Sequence, residues 1–357
     1  MELFFSFIIF CIVLFFYVHI HYHLKTSNDL EVFDIDMPTK EKFEELCDIR
    51  QPITMKYNNS KILEHFKNNT IQNEYGAFDI NIRNINTENK TDIEKYVILA
   101  YNTANELFNN DSESKYYTEN NESFLVETSL IKILQNNDLF LRPYMVSSCS
   151  YDLLTGSQNT TTVLKYDFSY RNFIYVTEGD ITIKLTPPKN SKYLYKQDDY
   201  ELLEFRSLIN PWNVDKKYEK DYNKIKFLEI TLKAGDLIFI PAYWWYSIKY
   251  NIRSTLLNMK YKTYMNIVSL TPTLVVHYLQ TLNVKFNTER TLSKQDIQGE
   301  TKRQENTIVV NDEANNNVSN NVSIPNNSSQ DIISTEIMAS NELIDSEITE
   351  ITSNLEK

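Results

Sequence analysis

AGDLIFIPAYWWYSIKY, residues 234–250, holds a turn, a buried strand and an aromatic pair in one short run. Gly235-Asp236 is a turn signal, because glycine enters the left-handed backbone region without a Cβ clash. Leu237 to Ile240 is a continuous apolar run of strand length. Pro241 has no amide hydrogen with which to continue a ladder, so the strand ends there. Trp244, Trp245 and Tyr246 follow.

The surrounding sequence shares this character. From about Tyr144 to Lys262 the apolar period is two, the period of a strand with one buried face. Short strands are predicted at 161–164, 173–176, 181–185, 227–232 and 237–240. Turn signals separate them at Gly156, Gly179-Asp180, Pro187-Pro188 and Gly235-Asp236. The chain has only five glycines, and three of them mark these turns. Upstream the period is helical. Lys40 to Cys47, residues 91–108 and Phe124 to Gln135 are predicted helices, and Gln51-Pro52 opens an apolar strand. Tyr264 to Phe286 predicts a closing helix. The expected fold is mainly β with flanking helices, a barrel or jelly roll.

Composition bounds the rest. Every Phe, Trp and Tyr lies before residue 287, so residues 287–357 lack the side chains that build a core. Five basic and 13 acidic residues follow position 286, so −8 of the net −12 sits in this tail. The remainder is close to neutral, which argues against nucleic acid as a partner. Residues 287–330 are Asn/Ser-rich and predict disorder, while 331–357 predict an acidic amphipathic helix with apolar positions from Ile333 to Leu355, suited to a protein partner. Cys11, Cys47 and Cys149 form no disulfide framework. Residues 3–20 carry no formal charge and are long enough to span a bilayer. Without a basic start or a small-residue cleavage site they predict an uncleaved anchor over residues 1–24, followed by a linker at 25–39. The localisation expected is a single-pass membrane protein.

Two blocks, TTTVLKYDFSYRNFIYVTEGDITIKLTPP (160–188) and KAGDLIFIPAYWWYSIKY (233–250), resemble the cupin-like, Jumonji-C-related family of double-stranded β-helix proteins. The resemblance extends over residues 40–286 and includes FEELCDIRQPI as an opening segment. Members similar to this chain, asparaginyl hydroxylases among them, are Fe(II)- and 2-oxoglutarate-dependent oxygenases. The resemblance implies a facial triad of His-x-Asp on one strand and a distal His after the Trp pair, holding iron on one face.

Carried over residue by residue, those positions are Lys165, Asp167 and Tyr246, and only the carboxylate is retained. Outside the leader the only histidines are His65 and His277, both in predicted helical segments or outside the strands. The lysine that pairs with 2-oxoglutarate in the family falls on Ile181, and Lys184 faces the other side of a period-two strand. Phe140 stands where the family has a tyrosine on the same carboxylate. Thr162 and Asn172 match polar pocket positions, and Tyr166, Trp244 and Trp245 complete the expected pocket. The expectation is a catalytically inactive binding or assembly protein without a cofactor, in which Lys165 pairs with Asp167 in place of the metal. The alternative is a 2-oxoglutarate oxygenase with Fe(II) in a non-standard site.

Overall fold

A computed structural model describes residues 2–85, 96–200 and 202–282. The tail segments 287–330 and 331–357 lie outside the described residues. In chain order the elements begin with α1 (Glu2–Leu24), β1 (Phe33–Ile35), α2 (Lys40–Asp48), β2 (Ile53–Lys56), α3 (Ser60–His65) and α4 (Asn68–Tyr75). β3 (Asp79–Asn84), β4 (Val97–Ala100), α5 (Tyr101–Asn110), β5 (Tyr116–Thr118), α6 (Glu122–Glu127) and α7 (Leu130–Asn137) follow. The strand-rich part holds β6 (Val146–Gly156), β7 (Lys165–Tyr166), β8 (Arg171–Glu178), β9 (Asp180–Thr186), β10 (Lys196–Asp199) and β11 (Glu204–Ser207). It closes with α8 (Glu219–Tyr222), β12 (Leu228–Lys233), β13 (Asp236–Ile240), β14 (Trp245–Tyr250), β15 (Ser254–Thr263) and α9 (Tyr264–Leu282).

Two sheets face each other. One has nine strands in the order β1-β2-β13-β8-β15-β6-β5-β3-β4, the other six in the order β10-β11-β7-β14-β9-β12. Side-chain alternation sorts the strands into two cores. Ile174, Val176, Ile238, Ile240 and Leu256 of the large sheet meet Ile181, Ile183, Leu185, Ile248 and Tyr250 of the small one, filling the barrel. The alternate residues Phe173, Tyr175, Leu237, Phe239, Leu257 and Tyr261 face the helices and pack with Phe43, Ile62, Phe124 and Leu134. A one-residue slip in any central strand would exchange these two sets, so burial on both faces fixes the register.

Four sequence-based expectations are corrected. Residues 97–100 form β4, paired with β3 in the register Ile80 to Leu99, and the helix begins only at Tyr101; Val97, Ile98 and Leu99 find a strand partner that helical spacing did not reveal. The helix expected at 124–135 is two helices, α6 and α7, broken where Ser129 adopts φ 60. The strand expected at 161–164 reduces to a single bridge from Thr161 to Lys249, and β7 starts at Lys165. Residues 25–39 are no free linker. Their β1 adds to β2 in parallel, Trp244 Nε1 donates to Ser27 O at 3.1 Å, and Lys189 Nζ donates to Asn28 O at 2.8 Å.

α1 leaves its apolar side chains exposed from Leu3 to Val18 and is long and apolar enough to cross a membrane. Its C-terminal end is held to the body. The buried Arg50 guanidinium donates to the Tyr22 and Lys25 carbonyls and stacks 4.0 Å from the Tyr22 ring centroid.

Candidate functional site

At one end of the barrel the inward positions change from apolar to polar. β7 delivers Lys165 opposite Tyr246 of β14, and β8 delivers Asn172 opposite Lys260 of β15. Asp167 follows β7 directly. Its Oδ1 accepts the Ser169 amide at 2.6 Å, and its backbone carbonyl accepts the Tyr243 amide at 2.7 Å. The first bond orients the carboxylate and the second holds the backbone that carries it.

The partner of Asp167 is Lys260, with Nζ 2.8 Å from Oδ2. This corrects the expected Lys165–Asp167 pair. Lys165 Nζ instead contacts the Glu119 carboxylate, and its ammonium lies 5.8 Å from the Tyr246 ring centroid. Glu119 also lies 3.5 Å from Arg83 Nε, and Arg83 Nη2 reaches Glu204 at 2.8 Å, so Lys165 belongs to a chain of alternating charges.

Burial presses the Asp167 pKa upward, but Lys260 and the Ser169 hydrogen bonds outweigh it and hold the carboxyl well below its usual range. Burial alone would lower Lys260, yet Asp167 raises it above its ordinary value. Lys165 is pushed well below the usual lysine range by burial first, then by the nearby Lys260, Arg83 and Arg206 cations. The Glu119 carboxylate in contact with it acts in the opposite sense. Burial also raises the Tyr246 phenol. That hydroxyl sits beside Asn172 and Asn258 without closing a hydrogen bond of ordinary geometry, and the Asn172 amide and Asn258 Oδ1 likewise have no partner.

The expected pocket residues separate into two groups. Asn172, Ile181, Trp244 and Tyr246 are buried around the barrel interior. Tyr166 and Trp245 point the other way, packing edge to face at 4.8 Å in an outer cluster with Leu164 and Ile209, because they occupy the alternate positions of β7 and β14. Thr162 is spent on structure, its hydroxyl accepting the Ile248 amide at 2.9 Å. Sequence reading missed Lys260, Asn258 and Glu119. Asn258 and Lys260 were detectable in principle as polar residues alternating with Leu257, Met259 and Tyr261, a pattern that also describes a solvated strand face.

These residues do not fit an Fe(II) and 2-oxoglutarate centre. An ammonium already occupies the carboxylate that would bind the metal, and Lys165 and Tyr246 offer a cation and a neutral phenol where imidazoles are needed. Among the described residues no three His, Cys, Asp or Glu side chains converge. His65 lies in α3, and His277 in α9 bonds to the Tyr200 carbonyl at 2.8 Å. Ile181, at which the resemblance expects the dicarboxylate's cation, is fully buried. Lys184 faces outward, donating to Pro211 O at 3.1 Å and lying 4.4 Å from the Trp212 ring centroid.

Two facing sheets around a shared interior, with helices covering the back of the larger, define a cupin-type β fold. Residues 50–267 match the cupin-like domain family, and the chain belongs to it. Among curated proteins it is similar to JmjC domain-containing protein D of Dictyostelium discoideum, 31% identical over 94 residues, covering 26% of this chain and 21% of that protein. It is also similar to HSPB1-associated protein 1 of Rattus norvegicus and of Homo sapiens, each 29% identical over 98 residues, covering 27% of this chain and 20% of theirs. The matched stretch thus spans about a fifth of the length of each relative.

Proposed function

We propose that this chain is a membrane-anchored cupin-like protein that acts by binding and carries out no oxygenation. The observation that carries this reading is the Lys260–Asp167 ion pair at 2.8 Å, which puts a fixed ammonium on the one retained metal-binding side chain. Ile181 in place of the co-substrate's cation supports it independently. The unmet polar groups of Tyr246, Asn172 and Asn258 support a small polar guest inside the barrel, because buried donors and acceptors without partners cost free energy until something satisfies them. α1 supports anchoring by length and apolarity. The acidic segment 333–355 is proposed as a protein-docking element; relatives named for association with another protein are in keeping with that.

A JmjC-named relative favours a second reading, a 2-oxoglutarate oxygenase with a rearranged site. Metal analysis and succinate release from 2-oxoglutarate by the purified full chain separate the two. The binding reading expects no iron above background after anaerobic loading with Fe(II) and no succinate. Stoichiometric iron with succinate release overturns it.

A further inference from the structure

Outside the barrel interior, a cavity of about 540 Å³ opens where α1 meets the folded body. Four segments build it: the end of α1 with the residues after it, Tyr166 of β7, the 3₁₀ turn Pro188–Tyr193 with the start of β10, and the turn between β13 and β14. Lys25, Lys189 and Lys196 all line it, and no acidic side chain does. Lys25 has no ion pair among the described residues, and Lys189 Nζ uses one donor on Asn28 O. Lys196 is shared with Asp198 at 3.0 Å. Three lining ammoniums, one of them paired with Asp198, and no lining carboxylate leave a net positive cavity.

A neutral donor lines the same space. The Ser191 hydroxyl accepts Trp245 Nε1 at 2.7 Å, which leaves its own proton free to donate. Tyr243 also lines the cavity with its apolar part, its hydroxyl being buried within the protein. Its backbone holds φ 67, a conformation costly for an aromatic residue and kept here by the amide bond to Asp167 O.

We infer that this cavity is a binding site for a phosphate group, carried by an acidic lipid headgroup or by a soluble phosphomonoester. Lysines act as point charges on phosphate oxygens, and hydroxyl donors complete a tetrahedral anion's shell. The lining begins at Leu24, the last residue of α1, so a helix that spans a bilayer sets the cavity at headgroup level. The inference does not depend on the barrel interior being inactive.

The test uses the full chain in uncharged detergent micelles, followed by calorimetric titration and thermal unfolding. One arm adds inorganic phosphate and glycerol 3-phosphate. The other compares mixed micelles containing phosphatidic acid with micelles containing phosphatidylcholine. Saturable binding in either arm supports the site, and the arm that binds assigns the source. Lys25→Gln and Lys189→Gln each weaken binding about tenfold, the loss of one charge-assisted bond, and the double variant abolishes it. Lys25→Arg retains binding, and Lys217→Gln, at an exposed lysine outside the cavity, leaves it unchanged. No binding in either arm, or equal binding by the double variant, overturns the inference.

Discussion

Lys165 and Tyr246 face each other across β7 and β14 and Ile181 is fully buried, and all three were singled out from the sequence. The ion partner of Asp167 was not, because the meeting of β7's end with β15 is set by sheet order and register. Asp167 and Lys260 keep 21% and 28% of their side-chain exposure, so their pair lies between exposed and buried extremes. Lys260→Met is expected to cost about 2 kcal/mol by stranding a half-buried carboxylate. The double variant Lys260→Met/Asp167→Asn should recover much of this, as read by urea unfolding. The pH dependence follows from the two shifts. Asp167 is lowered in the folded state, so it adds stability above its unfolded pKa of about 3.9, lost as pH falls toward the folded value. Lys260 is raised, so its contribution is full below about pH 10.4 and lost as pH climbs through the folded value. Urea midpoints should therefore fall below about pH 4 in the wild type, and more shallowly in the double variant.

Among elements, the strands buried on both faces were the most legible, since β8, β9 and β13 coincide with apolar runs, and the edge strand β12 was legible from its alternation. β4 was misread because Tyr96, Val97, Ala100, Ala104 and Leu107 fall at helical spacing, and only pairing with β3 shows that 97–100 are a strand. β7 was missed because two residues carry no period. Gly156 was misread as a turn, since it is the last residue of β6 and pairs with Ser254 and Tyr117; Gly179 and Gly235 do make turns, and they differ in consequence. Gly179 links β8 to β9 at φ 92, and a Cβ there would lie 2.7 Å from the Ser254 Cα. Gly235 has φ 93, but a Cβ would meet only Asn58 Oδ1 at 3.4 Å. Gly235→Ala should cost about 1–2 kcal/mol of backbone strain. Gly179→Ala should cost roughly 3 kcal/mol or more, because a backbone clash is added. Thermal denaturation of the two variants side by side checks the order; equal losses would refute the steric argument.

For the molecule as a whole, composition marked where the aromatic core ends, and it located the apolar leader. It did not foresee how the leader is joined to the barrel, because the clasp depends on the contact of Arg50 with backbone carbonyls 25 and 28 residues upstream, which no local pattern announces. Arg50 holds φ 60 while its guanidinium bonds two carbonyls at the end of α1. Arg50→Ala should raise the opening of residues 25–30 about tenfold, the loss of one charge-assisted bond. Trypsin cleavage after Lys25 in detergent micelles would report it. Intact mass of the membrane-extracted chain tests anchoring: a retained leader is expected, and a product lacking residues 1–24 would contradict it.

The parallel strand β1, laid down directly after α1, sets the working height of the protein. Fifteen unstructured residues at 25–39 could extend roughly 50 Å, allowing a tethered barrel to sample a wide hemisphere above a bilayer. With Ser27, Asn28 and Phe33 to Ile35 fastened to the barrel, that freedom is gone. Under the anchoring proposed above, the barrel would not search outward. A guest of such a protein would come to the membrane surface, and two-dimensional diffusion, not tether length, would govern the encounter.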